Sequence, residues 1–234
     1  MVKQIESCLI CGHDIQYLEE TKEMNCFYCN RLFSSNASCI NNHYVCDECH
    51  SKNAIEAIMK IAKEENSGNP LEIAVKMMKN PHVHMHGPEN HVLVGAALLT
   101  AYKNSGGKIE DFNKSLLEIR KRGSQVPGGI CGNWGCCGAA VSSGIFISVI
   151  TDSTPLSKKP LALSTNMTSK ALAKIGEIGG PRCCKRNGFL SILEAVKYVE
   201  EVFDIKMNLT DNYKCEFYHK NKECIANRCP FFEI

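Results

Sequence analysis

The sequence predicts a mainly α-helical protein: a helical bundle, with a small cysteine-dense module of short β-hairpins before it and a cysteine-rich irregular tail after it. Three observations carry this. Apolar residues recur at helical spacing through most of residues 53–204. Alternating strand patterns are confined to the first module. Fifteen cysteines fall into three clusters, one in each part of the chain. The implied divisions are 1–52, 53–204 and 205–234.

The elements follow in order. Residues 1–50 are dense in cysteine with short polar loops. From 51 to 79 the periodicity is helical through Ala54, Ile55, Ile58, Met59, Ile61 and Ala62, and it restarts at Asn69-Pro70. Pro70 suits a first helical position, and Asn80-Pro81 ends the run. Residues 88–104 are apolar nearly all round, which marks a central buried helix closed by Ser105-Gly106-Gly107. Ile109 to Arg122 is amphipathic, with Phe112, Leu116, Leu117 and Ile119 on one side. After the glycine-rich turn at Pro127, a second buried helix is expected from about Gly135 to Ile150. Pro155 and Pro160 mark a loop, and further helices are expected over about 166–178 and 188–204.

Bulk properties narrow the function classes. A chain of 234 residues suffices for one ordinary domain and a small metal module. A formal net charge of +2 supplies no field that demands nucleic acid or an anionic membrane, so neither is expected as a partner. The start lacks an apolar signal stretch, and the apolar runs are well short of the roughly 20 residues that span a bilayer. A cytoplasmic location is expected, where thiols act as metal ligands or catalytic groups rather than as disulfides. So many thiols also suit an anaerobic host.

The first cluster reads Cys8-x2-Cys11, Cys26-x2-Cys29, Cys39-x3-His43 and Cys46-x2-Cys49. A CxxC turn presents two thiolates to one tetrahedral ion, so eight ligands fit two structural zinc ions. The module is therefore zinc-finger-like. Sequential pairing of the half-sites would give a ribbon followed by a knuckle, and alternating pairing a cross-brace. The tight run from Cys39 to Cys49 is similar to the middle of RING-like cross-brace fingers. His50 is a spare candidate for the place of His43.

The middle of the chain carries three unusual strings. Residues 81–91 read Pro-His-Val-His-Met-His-Gly-Pro-Glu-Asn-His, with four histidines in eleven positions. His86, Glu89 and His91 are expected to face a site, His86 or Glu89 moving protons, while His82 and His84 read as surface groups. Residues 127–138 bring Cys131, Trp134, Cys136 and Cys137 into one glycine-rich loop at the expected start of a buried helix, where the helix dipole would lower a thiol pKa. Residues 179–186 flank Cys183 and Cys184 with Arg182, Lys185 and Arg186. Those cations, with Trp134, are expected to hold an anionic substrate, and Cys136, Cys137, Cys183 and Cys184 to be catalytic.

In the tail, Cys215, Cys224 and Cys229-Pro230 are spaced as in iron–sulfur ligation. The middle cluster can supply a fourth ligand, with Cys131 the candidate, or one iron can stay open. Zinc held by Cys215, His219, Cys224 and Cys229 is the rival.

The strings MHGPENHVLVGAALLTAY, PGGICGNWGCCGAAVSSGIF and GGPRCCKR, with the tail, resemble an uncharacterised domain family of strict anaerobes over roughly residues 80–234, and the amino-terminal finger fits its layout. Relatives of that family can be fused to radical-SAM or methyltransferase-type domains, which implies C1, sulfur or cofactor chemistry and a partner enzyme of that type. More loosely, Cys131-x4-Cys136-Cys137-Gly-Ala is similar to a redox-active cysteine family with a GCAxxG core, although here Cys-Gly-Ala stands where that pattern has Gly-Cys-Ala.

The expected function is an iron–sulfur or zinc-dependent enzyme of anaerobic sulfur or C1 metabolism. It would carry out sulfur transfer, desulfuration or thiol redox on a small anionic or sulfur-containing substrate. The alternative is a metal or cluster carrier, or an accessory subunit docking through the finger. A redox or metal sensor on nucleic acid is weaker, given the near-neutral charge. Neither a Rossmann fingerprint nor the Cys-x3-Cys-x2-Cys run of radical-SAM enzymes is present, so SAM chemistry would belong to a partner. A homodimer is the base expectation for apolar helices of this kind.

Overall fold

The computed structural model describes residues 8–209 and 212–233. The first seven residues, read above for a signal stretch, lie outside it.

Strands β1 (Ile15–Asn25) and β2 (Leu32–Cys39) form an antiparallel hairpin, in register from Ile15 opposite Cys39 to Asn25 opposite Leu32, with an irregularity between Tyr17 and Lys22. Helix α1 (Asp47–Glu64) begins inside the finger, its N-cap being Cys46, and carries Ala54, Ile55, Ile58, Met59 and Ala62 into the core. The division at residue 52 therefore falls within a helix rather than a linker. Helix α2 (Pro70–Met78) starts as its residues dictate. The Asn69 side chain accepts from the amides of Leu71 and Glu72, and Pro70 occupies the first turn.

Helix α3 (Glu89–Asn104) is the axis of the bundle, buried from Glu89 to Tyr102. Around it pack α1, α2, α4 (Phe112–Gly123), α6 (Gly138–Ile150) and α8 (Cys184–Phe203). Helix α7 (Lys159–Ile178) covers α6 and α8 from outside. A single turn, α5 (Ile130–Asn133), lies in the glycine-rich loop. The tail has two short 3₁₀ turns, Tyr218–Lys220 and Ala226–Arg228, and inserts Met207, Phe217 and Phe231 into the same core.

Four starts differ from expectation, each for a local reason. Helix α4 begins at Phe112 because the Asp111 carboxylate caps the Lys114 amide at 3.0 Å. Helix α6 begins at Gly138 because Gly135 has φ +62° and Cys137 is extended. Pro160 opens α7 instead of marking a loop, since a proline lacks only an amide that the first turn does not use. Helix α8 begins at Cys184, four residues early, because the Cys183 side chain accepts from the Arg186 amide. Within α4, Leu116 and Ile119 are buried, whereas Leu117 points outward at 53% exposure. Among the described residues no helix is long and apolar enough to cross a membrane.

This packing gives a paired expectation. Leu98→Ala in α3, at 0% exposure, lowers unfolding free energy by about 2–5 kcal/mol. Leu117→Ala changes it by no more than about 0.5 kcal/mol. Denaturant midpoints of the metal-replete protein measure both.

Candidate metal centres

The finger gathers its ligands in two groups, Cys8, Cys11, Cys39 and His43 in one, Cys26, Cys29, Cys46 and Cys49 in the other, with all ligand atoms of a group within 4.8 Å of one another. The first half-site pairs with the third and the second with the fourth. The grouping is thus alternating, the cross-brace of the two arrangements open to the sequence, and His43 rather than His50 completes the first group.

Local chain geometry builds these groups. Cys8 and Cys26 each open the same knuckle. The cysteine amide donates to the carbonyl five residues on (His13, Arg31), and its carbonyl accepts from the amide four residues on (Gly12, Asn30). The fourth residue must be left-handed, and Gly12 (φ +72°) and Asn30 (φ +56°) are. Backbone amides then point at sulfur, Ile10 to Cys8 at 3.4 Å, Asn41 to Cys39 at 3.3 Å and Cys46 to Cys26 at 3.3 Å.

Thiol electrostatics differ within each group: Cys11, Cys26 and Cys29 are lowered, whereas Cys39, Cys46 and Cys49 are raised. The His13 backbone amide holds the Cys11 thiol down at about 5. Burial raises Cys26, but the amides of Cys46, Cys29 and Tyr28 outweigh it and bring the thiol to about 6. Burial pushes Cys49 up to about 12. Four crowded thiols do not all ionise without a cation among them, and a metal ion reverses that balance.

A third gathering of cysteines lies between the tail and the bundle. A small cavity is lined by Cys183, Cys215, Cys224 and Cys229, together with Arg186 and apolar side chains such as Met85 and Phe231. Two backbone amides face its sulfurs, Arg186 to Cys183 and Phe217 to Cys215, both at 3.4 Å. These four sulfurs are not among the described ligand atoms that crowd within 4.8 Å of one another.

Two expectations for the tail are corrected here. The middle cluster's contribution to the cavity is Cys183; Cys131, on α5, is not part of the lining. His219 is exposed on a 3₁₀ turn, edge-on to Tyr218, and is likewise outside the lining, so the four-residue zinc alternative lacks its nitrogen.

The helix-end thiols also differ from expectation. Burial raises Cys136 and Cys183 and pushes Cys184 up to about 12. Desolvation of the anion exceeds the pull of the helix ends. Cys137 stands at the N-cap position of α6 without a side-chain cap bond, and its sulfur accepts from Asn187 Nδ2 at 3.4 Å. The expected substrate cations are engaged internally. The Arg186 guanidinium donates to the carbonyls of Gly179 and Pro181, each at 2.8 Å. The Lys185 ammonium donates to His84 O at 2.6 Å and Asn90 Oδ1 at 3.0 Å. Arg182 lies 5.7 Å from the Tyr17 ring centroid, joining the bundle to β1. Trp134 is exposed.

Beside Lys185 is a polar pocket centred on Glu89, whose side chain is wholly buried. Burial raises its pKa, but the His84 hydrogen bond and the nearby His50 and His84 rings outweigh this and hold the carboxyl below its ordinary value. Both the amide and the ring of His84 meet Oε1, at 2.9 and 3.3 Å. Gly87 passes directly against this carboxylate, and a Cβ there would overlap both oxygens. His86 points the other way, to Asn221 Oδ1 of the tail at 3.2 Å. His91 faces Val126 O at 2.9 Å through Nδ1, which fixes the proton on that nitrogen. His84, expected at the surface, and His50, expected only as a finger spare, both meet Glu89 instead. The one available signal was that His50 directly follows Cys49 and therefore sits in the first turn of α1.

Residues 58–232 match the family model described as a family of unknown function, DUF5714. No curated protein and no solved structure matches the chain. The match spans well over half of the chain, which belongs to that family.

The alternating pairing makes a countable prediction. In metal-loaded protein, the double variant Cys8→Ser/Cys39→Ser loses one bound ion per chain, because both ligands serve one group. Cys8→Ser/Cys26→Ser loses both finger ions. Sequential pairing would exchange the two counts, with one ion lost in Cys8→Ser/Cys26→Ser and both lost in Cys8→Ser/Cys39→Ser, so elemental analysis of the two variants decides the pairing.

Proposed function

We propose that the chain is an iron–sulfur protein of thiol and sulfur redox chemistry in the reducing cytoplasm of an anaerobe, with two zinc ions in its finger. One observation carries this reading: an apolar cavity lined by four cysteines, two of whose sulfurs are faced by backbone amides. Iron–sulfur clusters are held by four cysteine thiolates, with hydrogen bonds to sulfur among the protein's means of tuning them.

Cys183, Cys215, Cys224 and Cys229 would hold the cluster, which supplies one-electron transfer when bound. Burial pushes Cys215 up to about 11, so without a positive centre these groups stay protonated. Arg186, at the cavity wall, offsets the negative charge of four thiolates. Because all four protein positions are thiols, redox chemistry is favoured over direct binding of substrate to an open iron. Cys136 and Cys137, partly exposed at the start of α6, are the thiols placed to meet a small sulfur-containing substrate. The Asn187 amide orients Cys137.

An accessory or carrier role is the second reading. Its support is the finger surface, where Phe27, Tyr28 and Leu32 are exposed, as a docking face for a partner enzyme requires.

Protein purified without oxygen is expected to carry about four irons with matching sulfide. Cys183→Ser loses this iron and keeps the finger zinc, whereas Cys131→Ser keeps both. Zinc in place of iron at the tail removes the redox reading. Retention of iron in Cys137→Ser, with loss of disulfide reduction driven by a reduced one-electron dye, supports the enzyme. Ready transfer of the cluster to an acceptor apo-protein supports the carrier.

A further inference from the structure

The first turn of α1 has two sides. Cys46 and Cys49 belong to the finger, while His50 meets the loop before α3. There His50, His84 and Glu89 bring one donor atom each to within 4.8 Å of one another. His84 Nδ1 is 3.3 Å from Glu89 Oε1, and His50 Nδ1 is 3.8 Å from the other carboxylate oxygen, Oε2. A tetrahedral ion with donors at about 2.0–2.2 Å holds neighbouring donors about 3.4 Å apart. One donor atom from each side chain thus lies close enough for a single ion to draw the three together.

A second observation points to the same place. Glu89 Oε2 is inaccessible to solvent and has no hydrogen-bond partner. An anionic oxygen left in that state is costly, and such exceptions call for a missing cationic or donor group. Lys185, the buried ammonium nearby, is committed to His84 O and Asn90 Oδ1. The two imidazole rings, 4.4 Å apart between centroids, border the same space. Their side chains are 25% and 32% exposed, so solvent reaches the outer side of the site.

We infer that His50, His84 and Glu89 bind a divalent transition ion, zinc or ferrous, and leave at least one coordination position open to solvent. Structural sites close with four protein ligands; three ligands, two of them histidine and one carboxylate, are the pattern of ions that bind water or substrate in the remaining position. The His84 backbone amide on Oε1 and the absence of a Cβ at Gly87 fix the carboxylate for this role. All donors are nitrogen or oxygen, which separates this ion from every thiolate site in the chain. The inference is independent of what fills the tail cavity.

Cobalt(II) is the probe. It is titrated without oxygen into protein whose thiolate sites are already loaded, and total bound metal is counted. The wild type is expected to hold one more ion per chain than His84→Ala, with weak ligand-field bands and no thiolate-to-cobalt charge transfer. Added azide is expected to shift those bands by entering the open position. Glu89→Gln and His84→Ala each weaken cobalt binding by at least about tenfold. The half-exposed position of His84 lets that variant fold, as checked by its circular dichroism and its retained finger zinc. Equal metal counts in wild type and His84→Ala, or charge transfer from thiolate in the added band, overturn the site. Bands that azide does not move overturn the open position.

Discussion

A single buried carboxylate holds the middle of this molecule together. Glu89 opens the central helix α3 with no solvent contact, yet its surroundings keep it ionised. The cost of burying an unpaired charge is several kcal/mol, so whatever compensates it is fixed in place. The amide of His84 binds one oxygen, His50 brings the start of α1 to the other, and Gly87 passes beneath without a side chain. Next to it Asn90 receives Lys185 from α8, which also binds His84 O. Finger, loop, central helix and α8 are thereby tied at one point. Within the string Met85-His86-Gly87-Pro88-Glu89, this fit accounts for Gly87 and Glu89.

The same loop has a second face. Met85 lines the thiol cavity, and His86 reaches Asn221 at the rim of the tail. Successive residues thus serve a nitrogen–oxygen pocket on one side and a sulfur-lined cavity on the other. Cys183 and Lys185 divide α8 in the same way, the first toward the cavity and the second toward His84. Hard and soft donors are kept apart by one layer of chain, an arrangement that lets chemically different occupants sit close together without exchanging ligands.

Much of the fold was legible in the sequence because it depends on local rules. Asn69-Pro70 names the start of α2, and the uninterrupted apolar run from Val92 names the buried axis. Starts were misplaced where the decisive group was a side-chain cap, as at Asp111 and Cys183, or a left-handed glycine, as at Gly135. For the sites, spacing points to the eight residues that gather in the finger, but their grouping is a property of the folded chain. Three tail cysteines were visible from their spacing; the fourth sulfur at the cavity, Cys183, comes from a different helix start. The thiol shifts run opposite to the helix-dipole expectation because periodicity reveals where a helix begins and says nothing of how deeply that end is buried. His50 and His84 are 34 positions apart, and only the crossing of α1 over the loop before α3 brings them together.

Helix α1 gives the finger a hold on the rest of the molecule. Its N-cap is Cys46, its first turn contains Cys49 and His50, and its later turns carry Ile55 and Ile58 of the main core. An ion in the second finger group would therefore fix not an appendage but the leading end of a core helix. Binding that occurs only in the folded state adds stability in proportion to the logarithm of free ion. The lifetime of the whole chain against proteolysis would then follow the cell's supply of free metal, making the abundance of this protein itself a readout of metal sufficiency.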